Sequence, residues 1–182
     1  MPDEMVIRHC APTLASIKTG SLFSCPFEGE GRMGESIRSL NRRLRGKGLR
    51  VLPMRCRGGR CLVYVYRPAQ LARDLSDARA QGILRACGYP GEGTDRCVRR
   101  LIERLHTCEA FPHEIGLFLG YPPEDVEGFM TRRQEAKCVG CWKVYGDVAA
   151  AKRLFESYAR CTDAYLRRHA QGTDIERLAV AV

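Results

Sequence analysis

The sequence predicts an α+β protein: a small antiparallel sheet with a hairpin in the N-terminal part, followed by a mainly helical C-terminal part. Three observations carry this prediction. The dipeptide Gly58-Gly59 stands between two runs of strand-forming residues, 49–57 and 60–67. Beyond Pro68, apolar residues recur at helical spacing for most of the remaining chain. The helical segments follow the strand signals as a block, which is the α+β arrangement. The chain reads as a single domain over residues 1–182, with 1–68 an α/β part carrying the hairpin 49–67, and 69–182 a helical part.

Taken in order, Met5 to His9 is a short apolar-basic run that suits a strand. Ala11-Pro12-Thr13 opens a segment to about Thr19 that reads as a helix, with proline near its first turn. Gly34 to Arg45 is the clearer helix, because Ile37, Leu40 and Leu44 fall at i, i+3 and i+7 while Arg38, Arg42 and Arg45 line the other side. Gly46 and Gly48 end it. In the hairpin, Leu62-Val63-Tyr64-Val65-Tyr66 has the β-branched and aromatic content of a strand buried on at least one face. Pro53 places the preceding strand at a sheet edge or at a bulge.

After Pro68 the pattern predicts helices at about 69–75, 77–87, 94–107, 113–119, 123–134 and 147–169. Ser76 or Asp77 caps the second of these, and Gly88-Tyr89-Pro90 stops it. Thr94-Asp95 starts the third, whose stripe is Val98, Leu101, Ile102 and Leu105. Asp147 caps the last, in which Val148, Ala151, Phe155, Tyr158 and Tyr165 face inward.

Composition narrows the setting. A chain of 182 residues buries about two-thirds of its unfolded surface and needs no covalent staples to fold. Its 45% hydrophobic and 28% charged residues are those of a globular protein. No stretch approaches the ~20 apolar residues that cross a bilayer, so no membrane partner is expected. The start, Met1-Pro2-Asp3-Glu4-Met5, lacks the basic and apolar regions of a signal peptide. A cytoplasmic, reducing location is expected, where disulfides are rare and most of the ten cysteines act as free thiols, metal ligands or small hydrophobes. The net charge of +9 is carried mostly by arginine, in clusters such as Arg42, Arg43, Arg45 and Arg50. A basic face attracts phosphate backbones or acidic proteins. Because no recognition motif accompanies the charge, a nucleic-acid or protein partner stands as the alternative rather than the leading reading.

Four groups of residues have the makings of a site. Cys56 and Cys61 oppose one another if Gly58-Gly59 forms the turn, as a non-hydrogen-bonded pair with Cα atoms about 4.5 Å apart, the short limit for a disulfide. They are a redox switch or two thiols on one face. Cys138-Val139-Gly140-Cys141, followed by Trp142, has the CxxC spacing that grips a metal such as zinc or iron, or forms a small redox ring. A zinc ribbon needs a second pair, which is absent, so Cys161, Cys108 or His113 would have to complete it. Thioredoxin-like chemistry wants the motif after a strand and at a helix start, whereas here it falls between two helices.

The third group is Arg8-His9-Cys10-Ala11-Pro12-Thr13, with Lys18 beyond. If a helix begins at Ala11 or Pro12, its unpaired N–H groups, Arg8 and a protonated His9 favour the Cys10 thiolate, as an activated nucleophile requires. The same end suits an anion, and a buried packing cysteine remains the plain alternative. The fourth is His113-Glu114 at a helix start. It resembles half of an HExxH zinc motif, but Phe118 stands where the second histidine belongs, so the protease reading fails. His113 is then a base or ligand and Glu114 its orienting group, or the pair caps a helix.

His9-Cys10-Ala11-Pro12-Thr13-Leu14-Ala15 and Lys18-Thr19-Gly20-Ser21-Leu22-Phe23 resemble the opening of the bacterial proteins grouped as domain of unknown function 3793. So do Phe111 through Pro122 with Glu124-Asp125-Val126, and Lys137-Cys138 through Asp147. The resemblance spans about residues 6 to 166 and implies a bacterial protein from anaerobes, hence a reducing setting. It implies no activity. Cys56 and Cys61 lie outside these motifs and drop in rank.

The expected function is that of a cytoplasmic thiol-dependent protein linked to a metal or a redox cofactor. Cys10 would be nucleophile or ligand beside His9, His113 the base, Glu114 its orienter, Lys18 an anion contact, and Cys138 and Cys141 the metal pair. Whether it is an enzyme, and which substrate it takes, is left open by the sequence.

Overall fold

The computed structural model describes residues 1–27, 29–91, 93–108, 110–132 and 135–181. The protein is α+β, and its chain forms two compact units, Met1–Ala69 with Tyr158–Val182, and Gln70–Ser157. The first unit thus takes in the C-terminal tail as well as the residues before Pro68.

Its first element is a helix, α1 (Asp3–Leu14). The expected strand at Met5–His9 and the expected helix start at Ala11 or Pro12 are both corrected by it. The reason is periodicity: Val6, Ile7, Cys10, Ala11 and Leu14 are each 0% exposed, and steps of 1, 3, 1 and 3 residues put all five on one helical face. A strand would turn alternate members of that set to solvent. The strand comes later, β1 (Gly20–Pro26), where buried Ser21, Phe23 and Cys25 alternate with more exposed neighbours. The sequence pattern predicts no element over these residues.

Helix α2 (Glu30–Leu44) buries Met33, Ile37, Leu40 and Leu44. The hairpin of β2 (Arg50–Arg57) and β3 (Arg60–Tyr66) stands where Gly58-Gly59 predicts it. Both glycines have positive φ, +59° and +72°, the geometry of a tight two-residue turn. The sheet order is β1-β3-β2, all antiparallel. Pro53 lies on the edge strand β2, and the register also shifts between Pro53 and Arg55, so the edge and the bulge occur together. Central β3 is buried on both faces, through Val63 and Val65 on one and Tyr64 and Tyr66 on the other.

Arg67, 2% exposed, closes this unit. Its guanidinium donates to the carbonyls of Thr13 (2.7 Å), Leu14 (2.7 Å), Lys47 (3.0 Å) and Val180 (2.8 Å). A buried charge needs hydrogen-bond partners, and carbonyl dipoles take up four of the five guanidinium N–H donors here. Arg43 of α2, only partly buried, instead pairs with two carboxylates, those of Asp3 and Glu176, at 2.5 Å each.

The second unit is helical: α3 (Pro68–Leu75), α4 (Ala78–Ala86), α5 (Thr94–Thr107), α6 (Ile115–Phe118), α7 (Pro123–Thr131) and the start of α8 (Val148–Ala170). Asp77 caps α4 through the Arg79 and Ala80 amides, and Asp147 accepts from the Ala150 amide at the head of α8. Residues 133 and 134, the end of the helix expected at 123–134, lie outside the described residues; α7 stops at Thr131, where Arg132 turns to positive φ. Besides β1, two further features were not expected: a short hairpin of β4 (Cys138–Val139) and β5 (Lys143–Val144), and the terminal helix α9 (Ile175–Leu178) of the first unit. Among the described residues no helix is long and apolar enough to cross a membrane.

Candidate functional site

Two of the predicted groups meet in the second unit. The chain leaves α5, passes buried Pro112, and turns into α6 with the Gly116 amide donating to the His113 carbonyl (3.2 Å). This turn leaves the His113 side chain exposed, its ring edge-on to Phe129 of α7 with centroids 4.9 Å apart. The CxxC lies on the β4–β5 hairpin, not in a plain loop: Cys138 pairs with Val144, Val139 with Lys143, and the Gly140 amide donates to the Trp142 carbonyl. Cys138 is half-buried and Cys141 is exposed at the turn. Lys143 places its ammonium over the Phe129 ring, 5.5 Å from the centroid.

Asp125 holds this arrangement. It is 3% exposed and accepts from the Trp142 indole N–H (2.7 Å), the Tyr145 amide (2.6 Å) and the Gly146 amide (2.7 Å). Three donors on a buried carboxylate fix α7 to the hairpin, because each is a charge-assisted bond of the stronger kind. Trp142 is further packed between Tyr121 (4.6 Å, stacked) and Phe155 (4.6 Å, edge-on). Any Cβ at Gly140 would collide with the Phe155 ring, so the glycine of the CxxC is set by packing. Burial and the neighbouring Cys141 sulfur push the Tyr121 hydroxyl up to about 12.

These residues enclose a cavity of about 220 Å³, in which Phe111, His113, Tyr121, Phe129, Cys141, Trp142 and Lys143 all have a part. A dry apolar cavity of about 150 Å³ holds benzene, so this one has room for a one- or two-ring compound. Its walls are aromatic, Asp125 is already committed to three donors, and the cation at its edge is Lys143.

Glu114 does not belong to this wall. Its carboxylate, 2% exposed, accepts from Tyr89 (2.9 Å) and from Arg104 Nε (2.7 Å), and Arg104 reaches on to the Cys87 carbonyl. It neither orients His113 nor caps α6, where no side-chain cap bond forms. It stitches α5 to the turn instead. Burial and this carboxylate raise the Tyr89 hydroxyl far above its ordinary range.

The remaining predicted residues lie in the first unit. Cys10 is eighth in α1, not at a helix N-terminus, so the expected stabilisation of a thiolate is absent. It is 0% exposed, and burial pushes its thiol up to about 12 against the opposing pull of Lys18 and a hydrogen bond from Ser21. Near neutral pH it is a protonated core thiol. His9 is exposed and stacked on Phe23 at 5.1 Å. Lys18 sits with its ammonium 5.9 Å from the Tyr158 ring centroid. Cys56 and Cys61 face one another as expected, with Cα atoms 4.0 Å apart, and are joined by a disulfide.

Among the described residues no group of three or more His, Cys, Asp or Glu is placed to hold a metal ion. Cys138 and Cys141 supply two thiols, half of the four ligands of a closed zinc site. Sequence reasoning missed Asp125, Tyr121, Phe129 and Lys143. Asp125 looked like an ordinary first-turn helix acid, and no spacing rule links it to a tryptophan 17 residues on.

Fold and site together define a small α+β protein with an aromatic, thiol-bearing cavity of ligand size in its helical unit. The chain belongs to the family described as protein of unknown function (DUF3793), whose model matches residues 6–179, nearly the whole length. No curated protein and no solved structure matches it.

Proposed function

We propose that this is a thiol-dependent protein of the reducing cytoplasm whose second unit binds a small planar aromatic anion and presents it to Cys141. The observation that supports the reading is the convergence of His113, Lys143 and the exposed Cys141 on one aromatic cavity of about 220 Å³. The rings supply apolar and stacking contact, Lys143 faces the anionic group, and His113 is the proton-accepting or donating group within reach of the same space. A redox or metal cofactor is not needed for this reading, and Cys10 has no part in it.

Trp142 is the single tryptophan, so its indole N–H gives one resonance that reports on the cavity. Titration with 2-naphthoate, naphthalene and 2-naphthylmethylamine tests the reading. Saturable movement of that resonance is expected, tightest for the carboxylate. Lys143→Gln should weaken the carboxylate roughly tenfold, the value of about 1.4 kcal/mol, and leave naphthalene unchanged. If the resonance stays still with all three, the cavity is not a binding site.

A second reading, a basic module that binds nucleic acid, is favoured by one feature of the first unit. Arg38, Arg42, Arg45 and Arg50 line a cleft of about 390 Å³, and none of the four is ion-paired among the described residues, unlike Arg43. It predicts binding of a fluorescent single-stranded RNA that weakens steeply with salt and is lost in Arg42→Glu/Arg45→Glu. Anisotropy that stays flat at low salt rejects it.

A further inference from the structure

The three strands of the first unit carry a row of cysteines. Cys25 on β1 is directly opposite Cys61 on β3, and Cys61 is directly opposite Cys56 on β2. Opposed residues of an antiparallel sheet point to one face, with neighbouring strands about 5 Å apart. Here that face is the core side, shared with Phe23, Val51 and Val63. Cys56 and Cys61 are bonded. Cys25 is a free thiol, 2% exposed, with its sulfur 3.6 Å from the Cys61 carbonyl oxygen. The free sulfur therefore stands on the far side of Cys61 from Cys56. That is the side from which a thiolate displaces a sulfur leaving group.

We propose that Cys25, Cys61 and Cys56 form a thiol–disulfide exchange relay. The Cys25 sulfur attacks the Cys61 sulfur, the Cys25–Cys61 bond forms with the attacking lone pair, and the Cys61–Cys56 bond breaks with its electrons on Cys56. The proton lost by Cys25 ends on Cys56. One disulfide and one thiol stand on each side of the step, so no oxidant or reductant is consumed.

The exchange moves the reactive thiol across the sheet. In the first isomer it is Cys25, which lines a cavity of about 470 Å³ beside Met1, Met5, Arg32, Met33 and Ser36. In the second it is Cys56, half-buried near the hairpin turn. Burial raises the Cys25 thiol, while the N-terminal ammonium and Arg60 pull it back. Exchange proceeds through the thiolate, so it quickens as pH rises. The relay is independent of the Cys141 cavity and stands or falls without it.

Protein prepared without reductant is held at neutral or alkaline pH, quenched in acid, unfolded and capped with N-ethylmaleimide, then digested with trypsin without reduction. Arg55, Arg57 and Arg60 place Cys56 and Cys61 on separate peptides. Mass spectrometry is expected to find Cys25–Cys61 links with capped Cys56 alongside Cys56–Cys61 links with capped Cys25, reached faster at alkaline pH. Cys25→Ser should hold only the Cys56–Cys61 link. Cys56→Ser treated with oxidised glutathione should give Cys25–Cys61. Wild-type protein that shows only the Cys56–Cys61 link at every pH, or no link at all, overturns the relay. So does a Cys56→Ser protein, folded by circular dichroism, that keeps both remaining thiols separate.

Discussion

Cys10 and Cys141 show how far two thiols of one chain can differ. Cys141 is exposed at the turn of a hairpin, whereas Cys10 lies on the buried face of α1 with its thiol pushed up to about 12 by burial. The native state thus keeps the Cys10 proton to about 12, while an unfolded chain gives it up near 9.0. Between those values the unfolded state binds fewer protons, so stability falls as pH rises, by about 1.4 kcal/mol per pH unit from this group. Below that window its contribution is fully present. Urea unfolding near neutral pH and near pH 11 should therefore show a larger loss for the wild type than for Cys10→Ala. Equal losses in the two proteins would show that Cys10 has no such role. An expectation of activated nucleophilicity at this residue came from placing the helix start at Ala11 or Pro12, eight or nine positions after Asp3, where α1 begins. Only the neighbouring turns could have said otherwise.

At the scale of elements, legibility tracked local punctuation. The hairpin was readable because Gly58-Gly59 has one structural use between two β-branched runs, and the register it implied placed Cys56 against Cys61. Helix α5 was readable over Thr94–Thr107 because its apolar stripe and its starting residues agree. α1 was misread where a five-residue apolar-basic run fits a strand and a helix equally, until Cys10 and Leu14 are counted with it. β1 was missed because Gly, two Ser and Pro dilute its strand signal, and its ladder to β3 crosses some forty residues. The β4–β5 hairpin is two residues on each side and gets its shape from Asp125 and the Phe155 ring rather than from propensity. The site follows the same rule. His113 and the CxxC stood out as residue types with chemistry. Their meeting, and the aromatic wall between them, depends on tertiary contacts that no local pattern encodes.

For the molecule as a whole, the chain path separates two kinds of independence. Gln70–Ser157 is continuous and contains every wall residue of the aromatic cavity. Its 88 residues exceed the roughly 40 below which a domain usually needs extra staples, and its caps and buried ion pair are internal. The first unit is discontinuous. Ile175 and Leu178 lie in its core, Glu176 pairs with Arg43, and the Val180 carbonyl takes one of the four bonds of buried Arg67. Without the tail, that guanidinium loses a partner and apolar surface of α1 is bared. Residues 70–157 expressed alone should therefore be helical, unfold cooperatively and show the same Trp142 indole resonance as the full chain. Residues 1–69 alone should show neither cooperative unfolding nor dispersed amide signals, and adding a peptide of residues 158–182 should restore both. A 1–69 fragment that folds by itself would mean that the sheet and α1 suffice, and that Arg67 and the tail only trim a core already made.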